Sequence, residues 1–347
     1  MVGDPVHVAC CFDRAYVLPT AVMATSLLAH SSPERRYILH LVYDGADDAP
    51  LRVFKGFRRT ALEVRLVNAR NAFAGIPTAY PGMPSVSFLR LALGDLLPDV
   101  GRVLSLDPDT LCLDDVAEVF DVPLGRSPLA AVPDLSLAAK LAMEESHGLA
   151  AASGSNTMYL ERQLKLDRTA RSAYFNAGVM LLDLERSRAD ALPARALTFL
   201  QQNGNPLRWS EQCVLNAFYA PVYRQLPARW NVMLHPGRLQ EYGPGGIALL
   251  QRAIQARAQP SILHFNWTAK PWIGAANRTR WLRMWWAYLF AAPLSWPVKL
   301  GPPLSRRQVL KALFDRAVHR KAKEIRSLLD VRLSRSAAEI LRSRRTE

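Results

Sequence analysis

The chain has 347 residues, 50% of them hydrophobic, which is enough for a sizeable core in one large domain with an appendage or in two domains. Its 44 Lys and Arg against 30 Asp and Glu leave a formal net charge of +14, an excess that favours anionic partners. Cysteines stand adjacent at Cys10 and Cys11 and isolated at Cys112 and Cys213, a pattern that excludes a disulfide framework and zinc-ligand spacing and points to a reducing, cytoplasmic setting.

The first residues carry no basic region, and the apolar run Val6–Phe12 is broken by Asp13, so no signal peptide is expected. Val6–Phe12 reads as a buried strand, Thr20–His30 as a helix, and Tyr37–Tyr43 as a second strand ended by the turn signal Asp44-Gly45. A helical Pro50–Thr60 and a strand Glu63–Val67 continue the alternation that an open, mostly parallel sheet flanked by helices requires, so the fold class is α/β. Ser85–Leu96 then reads as a helix presenting Arg90, and Val103–Leu106 as a short apolar strand.

That strand delivers Asp107 and Asp109 to its carboxyl end, where ligands collect in parallel α/β sheets. On an extended segment the two carboxylates would share a face, and Pro108 fixes its own φ while biasing Asp107 toward an extended conformation. Hard oxygens so spaced suit Mn²⁺ or Mg²⁺, which bridge phosphate oxygens and neutralise a leaving pyrophosphate. An Asp-x-Asp triplet also arises by chance about once in a chain of this size, so its weight comes from the strand before it. Asp114 and Asp115 are expected only to cap the next turn or helix.

Pro128–Pro133 reads as a strand ending at Asp134. Ala138–Leu166 has helical composition but little rhythm, and is a candidate lid or acceptor-side region. In Tyr174–Leu184, Asn176 and Gly178 punctuate the entry to an apolar strand, with Gly178 allowing close backbone approach. Helices are expected at Pro193–Asn203 and Ser210–Tyr219, the second with the Ser210 hydroxyl as cap and Glu211 as an early acid.

Four stretches, the opening Ala9-Cys-Cys-Phe-Asp13-Arg-Ala-Tyr16, Arg90 with Leu106-Asp107-Pro108-Asp109-Thr110, Tyr174-Phe-Asn176-Ala-Gly178-Val, and His264-Phe-Asn-Trp-Thr-Ala-Lys270-Pro-Trp272, together resemble the retaining glycosyltransferases of family 8 over about residues 6 to 275. The family includes bacterial lipopolysaccharide galactosyl- and glucosyltransferases. The resemblance implies a GT-A catalytic domain over 1–275, with a Rossmann-like, mostly parallel mixed sheet, and a helical basic region over 276–347. It also implies transfer of a hexose, galactose or glucose, from a UDP-sugar donor to a lipopolysaccharide, glycolipid or other glycan acceptor.

By the same resemblance Asp107, Asp109 and His264 would hold Mn²⁺, or Mg²⁺, against the donor diphosphate, with Pro108 between the aspartates and Lys270 adding a point charge. Ala9, Cys11, Asp13 and Tyr16 would form the uracil and ribose pocket, with Arg90 on the sugar or diphosphate. Asp134, Asn176, Glu211 and Gln212 would meet the donor sugar, Gln212 beneath the anomeric carbon. An amide there is a poor nucleophile, which favours same-face substitution over double displacement, with Glu211 as the residue that could reverse the choice. Bland alternatives stand beside these roles: Asp13 as a helix cap, Tyr16 as a packed tyrosine, Arg90 as a solvated helix residue. Trp267 stands where many relatives have glycine, and Cys10-Cys11 replaces smaller residues.

After Trp272, the residues Trp281, Trp285, Trp286, Tyr288, Phe290 and Trp296 crowd into a segment broken by Pro293 and Pro297, and no apolar run reaches the roughly 20 residues needed to span a bilayer. From Gly301 to Glu347 there are 13 Lys and Arg against 5 Asp and Glu, a net +8. Leu310, Leu313, Phe314, Ala317, Ile325, Leu328 and Leu329 recur among them at near-helical spacing. The expectation is a basic amphipathic stretch lying on anionic lipid, with Trp and Tyr at headgroup depth, and a protein peripheral on a cytosolic membrane face without nucleic acid as a partner. A solvated helix packed on its own domain is the alternative. For the whole chain the competing functions are nucleotidyl transfer, which also uses paired aspartates, and an inactive sugar-nucleotide-binding membrane adaptor.

Overall fold

The computed structural model describes residues 4–69, 73, 85–203, 207–233, 244–266, 270–272 and 280–294. The chain divides into two compact units, Met1–Ala269 with Ala292–Pro297, and Lys270–Ala291 with Val298–Glu347.

The first unit is built on a seven-stranded sheet of order β3-β2-β1-β4-β7-β6-β8. Its strands are β1 (Val6–Asp13), β2 (Tyr37–Asp44), β3 (Leu62–Asn68), β4 (Arg102–Leu106), β6 (Leu129–Pro133), β7 (Phe175–Asp183) and β8 (Arg224–Gln225). Neighbours pair in parallel except at β7, which runs against both β4 and β6. The carboxyl ends of β1, β4 and β6 and the amino end of β7 therefore fall on one edge of the sheet, bringing Asp13, Asp107, Asp134 and Asn176 to it. β1 and β2 are buried along nearly their whole length, the mark of a strand covered on both faces. A helix over Val17–His30 follows β1, and its Ser26 Oγ accepts a hydrogen bond from Cys112 N at 2.9 Å.

A second, three-stranded sheet joins β5 (Thr110–Cys112), β10 (Ile262–His264) and β9 (Val232–Met233) in the order β5-β10-β9. His264 pairs with Thr110 across the antiparallel β5–β10 ladder and with Met233 across the parallel β10–β9 ladder. That small sheet carries a histidine far along the chain to the end of β4.

Several local expectations are corrected. Pro50–Thr60 and Ser85–Leu96 are not regular α-helices: Ala49–Arg59 and Ser85–Ala92 are 3-10, with one α-turn at Leu93–Leu96. Asp107 and Asp109 do not lie on an extended segment, because the chain turns there, Thr110 N and Oγ1 both donating to Asp107 O at 3.2 and 2.7 Å. Ser210 is not a side-chain cap. It has a positive φ of 45° and its helix starts after Trp209 without a side-chain cap bond. Of the two expected caps, Asp115 accepts from Ala117 N at 2.9 Å, whereas Asp114 instead accepts from Ser261 Oγ at 2.7 Å. The stretch without rhythm holds a helix at Leu135–Ser146, then Asn156–Met158 and a π-turn at Tyr159–Gln163, joined by the Glu144 carboxylate, which accepts from Asn156 and Thr157 at 2.7–2.9 Å.

In the second unit, Arg280–Ala291 is a helix whose Trp281, Trp285, Trp286 and Tyr288 are buried, with Trp285 packed edge-on against Trp286 and tilted over Trp272. These aromatics are core, which corrects their expected place at lipid headgroup depth. No helix among the described residues is long and apolar enough to cross a membrane. Trp267, Trp296 and the basic stretch from 301 onward lie outside the described residues.

Candidate active site

β7 deforms where it meets the site. Consecutive β6 residues Ala131 and Val132 pair with Met180 and Asn176, so Ala177, Gly178 and Val179 bulge from the β6 side while Val179 stays paired to Leu106 of β4. The bulge turns backbone groups toward the end of β4, and Asp107 N donates to Gly178 O at 2.8 Å. Gly178 is required here by close approach: a Cβ would stand 2.3 Å from His264 Cε1 and 2.9 Å from Asp107 Oδ2.

Around this point Asp107, Asp109 and His264 offer one ligand atom each within 4.8 Å of one another. His264 Nε2 lies 3.4 Å from Asp107 Oδ2 and 3.3 Å from Asp109 Oδ1, edges close to the roughly 3 Å expected between adjacent ligands of an octahedral ion with bonds of about 2.1 Å. Asp109 and His264 are buried, and a hard carboxylate pair with one imidazole fits Mn²⁺ or Mg²⁺ better than a soft-metal site.

Arg90 sits behind the aspartates, 6% exposed. Its guanidinium pairs with Asp107 Oδ1 and donates to Ala177 O, while Nε lies 3.3 Å from Glu211 Oε1. Burial works against its charge, but Asp107 and Glu211 outweigh this and hold it protonated more firmly than an ordinary arginine. It is therefore not a solvated helix residue, and its geometry is that of a support for Asp107. Glu211 is buried beside it, and burial pushes its carboxyl above the usual range against the pull of Arg90.

A hydrogen-bonded chain runs from the histidine to the far side of the pocket. His264 Nδ1 meets Asn231 Oδ1 at 3.0 Å, and Asn231 Nδ2 donates to Asn176 Oδ1 at 2.7 Å. Asn176 Nδ2 donates to Gln212 Oε1 at 3.0 Å, and Gln212 Nε2 donates to Asp134 Oδ2 at 3.3 Å. Burial raises the Asp134 carboxyl above its ordinary range, against the hydrogen bonds from Leu137 N and Gln212. The strained Ser210 turns the helix start so that Glu211 and Gln212 both point into this region.

The β1 end is mixed. Ala9 and Cys11 are buried, and burial lifts the Cys11 thiol to about 12, so it is no nucleophile. Asp13 Oδ1 accepts from Ala15 N and Tyr16 N at 2.9 and 3.2 Å, which makes it a cap, and Tyr16 is half-buried. Pro108 lies in the turn between Asp107 and Asp109. Lys270 belongs to the second unit, where its Nζ lies 5.7 Å from the centre of the Trp272 ring. Asn231 was not singled out by sequence. Its only local signal is a polar residue wedged between Trp230 and the apolar pair Val232-Met233.

The mixed sheet with one reversed strand, the aspartate turn at the end of β4 and the small sheet carrying His264 form the architecture of a GT-A glycosyltransferase. Solved structures share it: a galactosyltransferase, LgtC, in complex with donor and acceptor sugar analogs matches with a TM-score of 0.65 and 19% identity, over 85% of this chain and 98% of that one. General stress protein A of Bacillus subtilis (strain 168) is 22% identical over 271 residues, 77% of this chain and 87% of the relative. A probable galacturonosyltransferase-like protein of Arabidopsis thaliana, number 10, is 23% identical over 283 residues, 78% of this chain and 72% of the relative. The model for glycosyl transferase family 8 matches residues 7–276, and the chain belongs to that family.

Proposed function

We propose that this glycosyltransferase moves a hexose, galactose or glucose, from a UDP-sugar to a glycan or glycolipid acceptor such as a lipopolysaccharide core, with retention of configuration. The observation that carries the proposal is the convergence of Asp107, Asp109 and His264 beside the Asn176–Gln212–Asp134 chain, which would serve as a cation site next to a hydroxyl-reading pocket. A divalent ion held there, Mn²⁺ or Mg²⁺, would neutralise the leaving diphosphate. The strand end at Asp13 and Tyr16 is where the nucleoside would lie. Asp134, Asn176 and Gln212 would distinguish hexoses through their hydroxyls.

The chemistry that these residues favour is same-face substitution. Gln212 Oε1 already accepts from Ala177 N and Asn176 Nδ2, both at 3.0 Å, so its lone pairs are engaged and an amide already weak as a nucleophile is weaker still. Glu211 is held against Arg90. As the bond from the anomeric carbon to the phosphate oxygen breaks, the acceptor hydroxyl attacks the same face and gives its proton to the departing phosphate oxygen. The protein positions both and stabilises positive charge on the ring.

A panel of UDP-sugars with Mn²⁺ or Mg²⁺ tests the function by UDP release, and the anomeric configuration of the glycoside tests the mechanism. A β product from an α donor would overturn retention, a covalent sugar adduct trapped on Glu211 would establish double displacement, and release of pyrophosphate with nucleotide transfer would replace the function by nucleotidyl transfer. Metal-dependent UDP binding with no turnover of any donor would support the inactive adaptor. Association with an anionic membrane is part of the proposal, supported by the basic excess from 301 to 347.

A further inference from the structure

The hydrogen-bonded chain across the pocket has a direction that can be read from its fixed donors. Backbone N–H groups can only donate, and two of them enter the chain at the β7 bulge. Gly178 N donates to one Asn176 side-chain atom at 3.0 Å, so that atom is Oδ1. The Asn231 atom 2.7 Å from that oxygen must then be the amide nitrogen, and the opposite Asn231 atom, facing His264, must be Oδ1. An oxygen without hydrogens facing His264 Nδ1 at 3.0 Å requires the ring proton on Nδ1. In the neutral ring Nε2 then carries the lone pair, and Nε2 is the atom lying 3.3–3.4 Å from the Asp109 and Asp107 oxygens. The other end is fixed in the same way: Ala177 N donates to Gln212 Oε1, so Nε2 of Gln212 must face Asp134.

We propose that Asn231 is a positioning residue that holds His264 in its Nδ1–H form with Nε2 presented to Asp107 and Asp109, and that the bulge N–H groups of Gly178 and Ala177 set this polarity for the whole chain. Neutral imidazole in water prefers the proton on Nε2, the form that would aim a hydrogen rather than a lone pair at a cation. Asn231 and His264 are 4% and 3% exposed, so water does not compete for the contact. A partner on the second ring nitrogen is the usual way in which a ligating histidine is oriented. The link to metal binding rests on the cation site proposed above; the tautomer itself does not.

The tautomer is measured directly in the metal-free full chain. With ¹⁵N-histidine labelling at pH 8 in chelator, long-range proton–nitrogen correlation distinguishes Nδ1–H from Nε2–H, and His264→Gln assigns the signal. Wild type should show His264 as Nδ1–H, and Asn231→Leu should shift it toward Nε2–H. Asn231→Asp should keep Nδ1–H, since a carboxylate still accepts from it, while losing the donor to Asn176. Mn²⁺ affinity in the presence of UDP, read by the electron paramagnetic resonance of free Mn²⁺, should fall about 10- to 100-fold in Asn231→Leu and stay within about threefold of wild type in Asn231→Asp. A wild-type His264 in the Nε2–H form overturns the proposal, and needs no variant to fold. So does Asn231→Leu with wild-type tautomer and affinity. Nδ1–H in wild type and Asn231→Asp but not in Asn231→Leu, with no Mn²⁺ binding by any form, supports the positioning role and overturns the cation site instead.

Discussion

Gly178 lies against His264 with no room between them: a Cβ on the glycine would reach within 2.3 Å of the imidazole Cε1 and 2.7 Å of Nδ1. The ring cannot step aside without leaving Asn231, and the glycine cannot retreat because its N–H is held by Asn176 and its carbonyl by Asp107 N. Gly178→Ala should therefore displace the histidine while the fold survives. Transfer should fall on the order of 10²-fold, as for other misplacements of about 1 Å. Activity within threefold of wild type, with unchanged Mn²⁺ dependence, would contradict the proposed site.

Asp107 and Asp109 differ in what stands behind them. Asp107 carries the Arg90 ion pair through Oδ1 and faces His264 through Oδ2, whereas Asp109 faces His264 through Oδ1. Asp107→Asn and Asp109→Asn should each lower transfer on the order of 10²–10³-fold, each removing a charged oxygen from the group proposed to stabilise the leaving diphosphate. Only Asp107→Asn leaves buried Arg90 short of a countercharge, so it should also lose on the order of 1–3 kcal/mol in denaturant unfolding. Equal stability of the two variants would mean that Glu211 alone compensates Arg90.

The long apolar strands were legible because a strand buried on both faces writes itself as a continuous run, as in Val6–Phe12 and Tyr37–Tyr43. The two- and three-residue strands β5, β8, β9 and β10 carry no period at all, so the small sheet that brings His264 to Asp109 could not be read from local sequence. Asp107 and Asp109 were found for a reason that the structure replaces: they converge with His264 because the chain turns at Pro108, not because alternate residues of a strand share a face. Asn231 carries no strong local signal because the partner it contacts lies 33 residues away. Read from its own helix alone Arg90 is a solvated residue, because a buried ion pair has no local signature; the resemblance is what sets it at the site.

His7 and His40 form a stacked pair on β1 and β2, with rings 5.2 Å apart and Nδ1 of His7 2.9 Å from Nε2 of His40. Burial, then His7 and Arg65, push His40 down to about 4 from an ordinary 6.5, with Glu63 opposing. The folded form thus binds a proton less readily than the unfolded chain. Its stabilising contribution is complete above about 6.5 and is lost as pH falls toward 4. Denaturant unfolding of wild type should weaken by roughly 1.4 kcal/mol per pH unit from this group between pH 6 and 5, and His40→Gln should show a shallower slope over that window. Parallel slopes would place the pH sensitivity elsewhere.

The basic stretch beyond 301 contains none of the residues proposed for the site, so its contribution can be removed separately. Lys and Arg near an anionic bilayer contribute about 1 kcal/mol each, and such contacts are screened by salt. With the described tryptophans of Arg280–Ala291 buried, any binding to lipid would rest on charge rather than on their insertion. The full chain should sediment with anionic but not neutral vesicles and be released at high salt. Replacing Arg306, Arg307, Lys311, Arg316, Arg320 and Lys321 together by Gln should weaken vesicle binding at least tenfold, while transfer from UDP-sugar to a soluble acceptor is preserved. Undiminished vesicle binding by that variant would leave the stretch as a packed structural element, and tighter binding of wild type to DNA than to anionic lipid would identify the wrong partner.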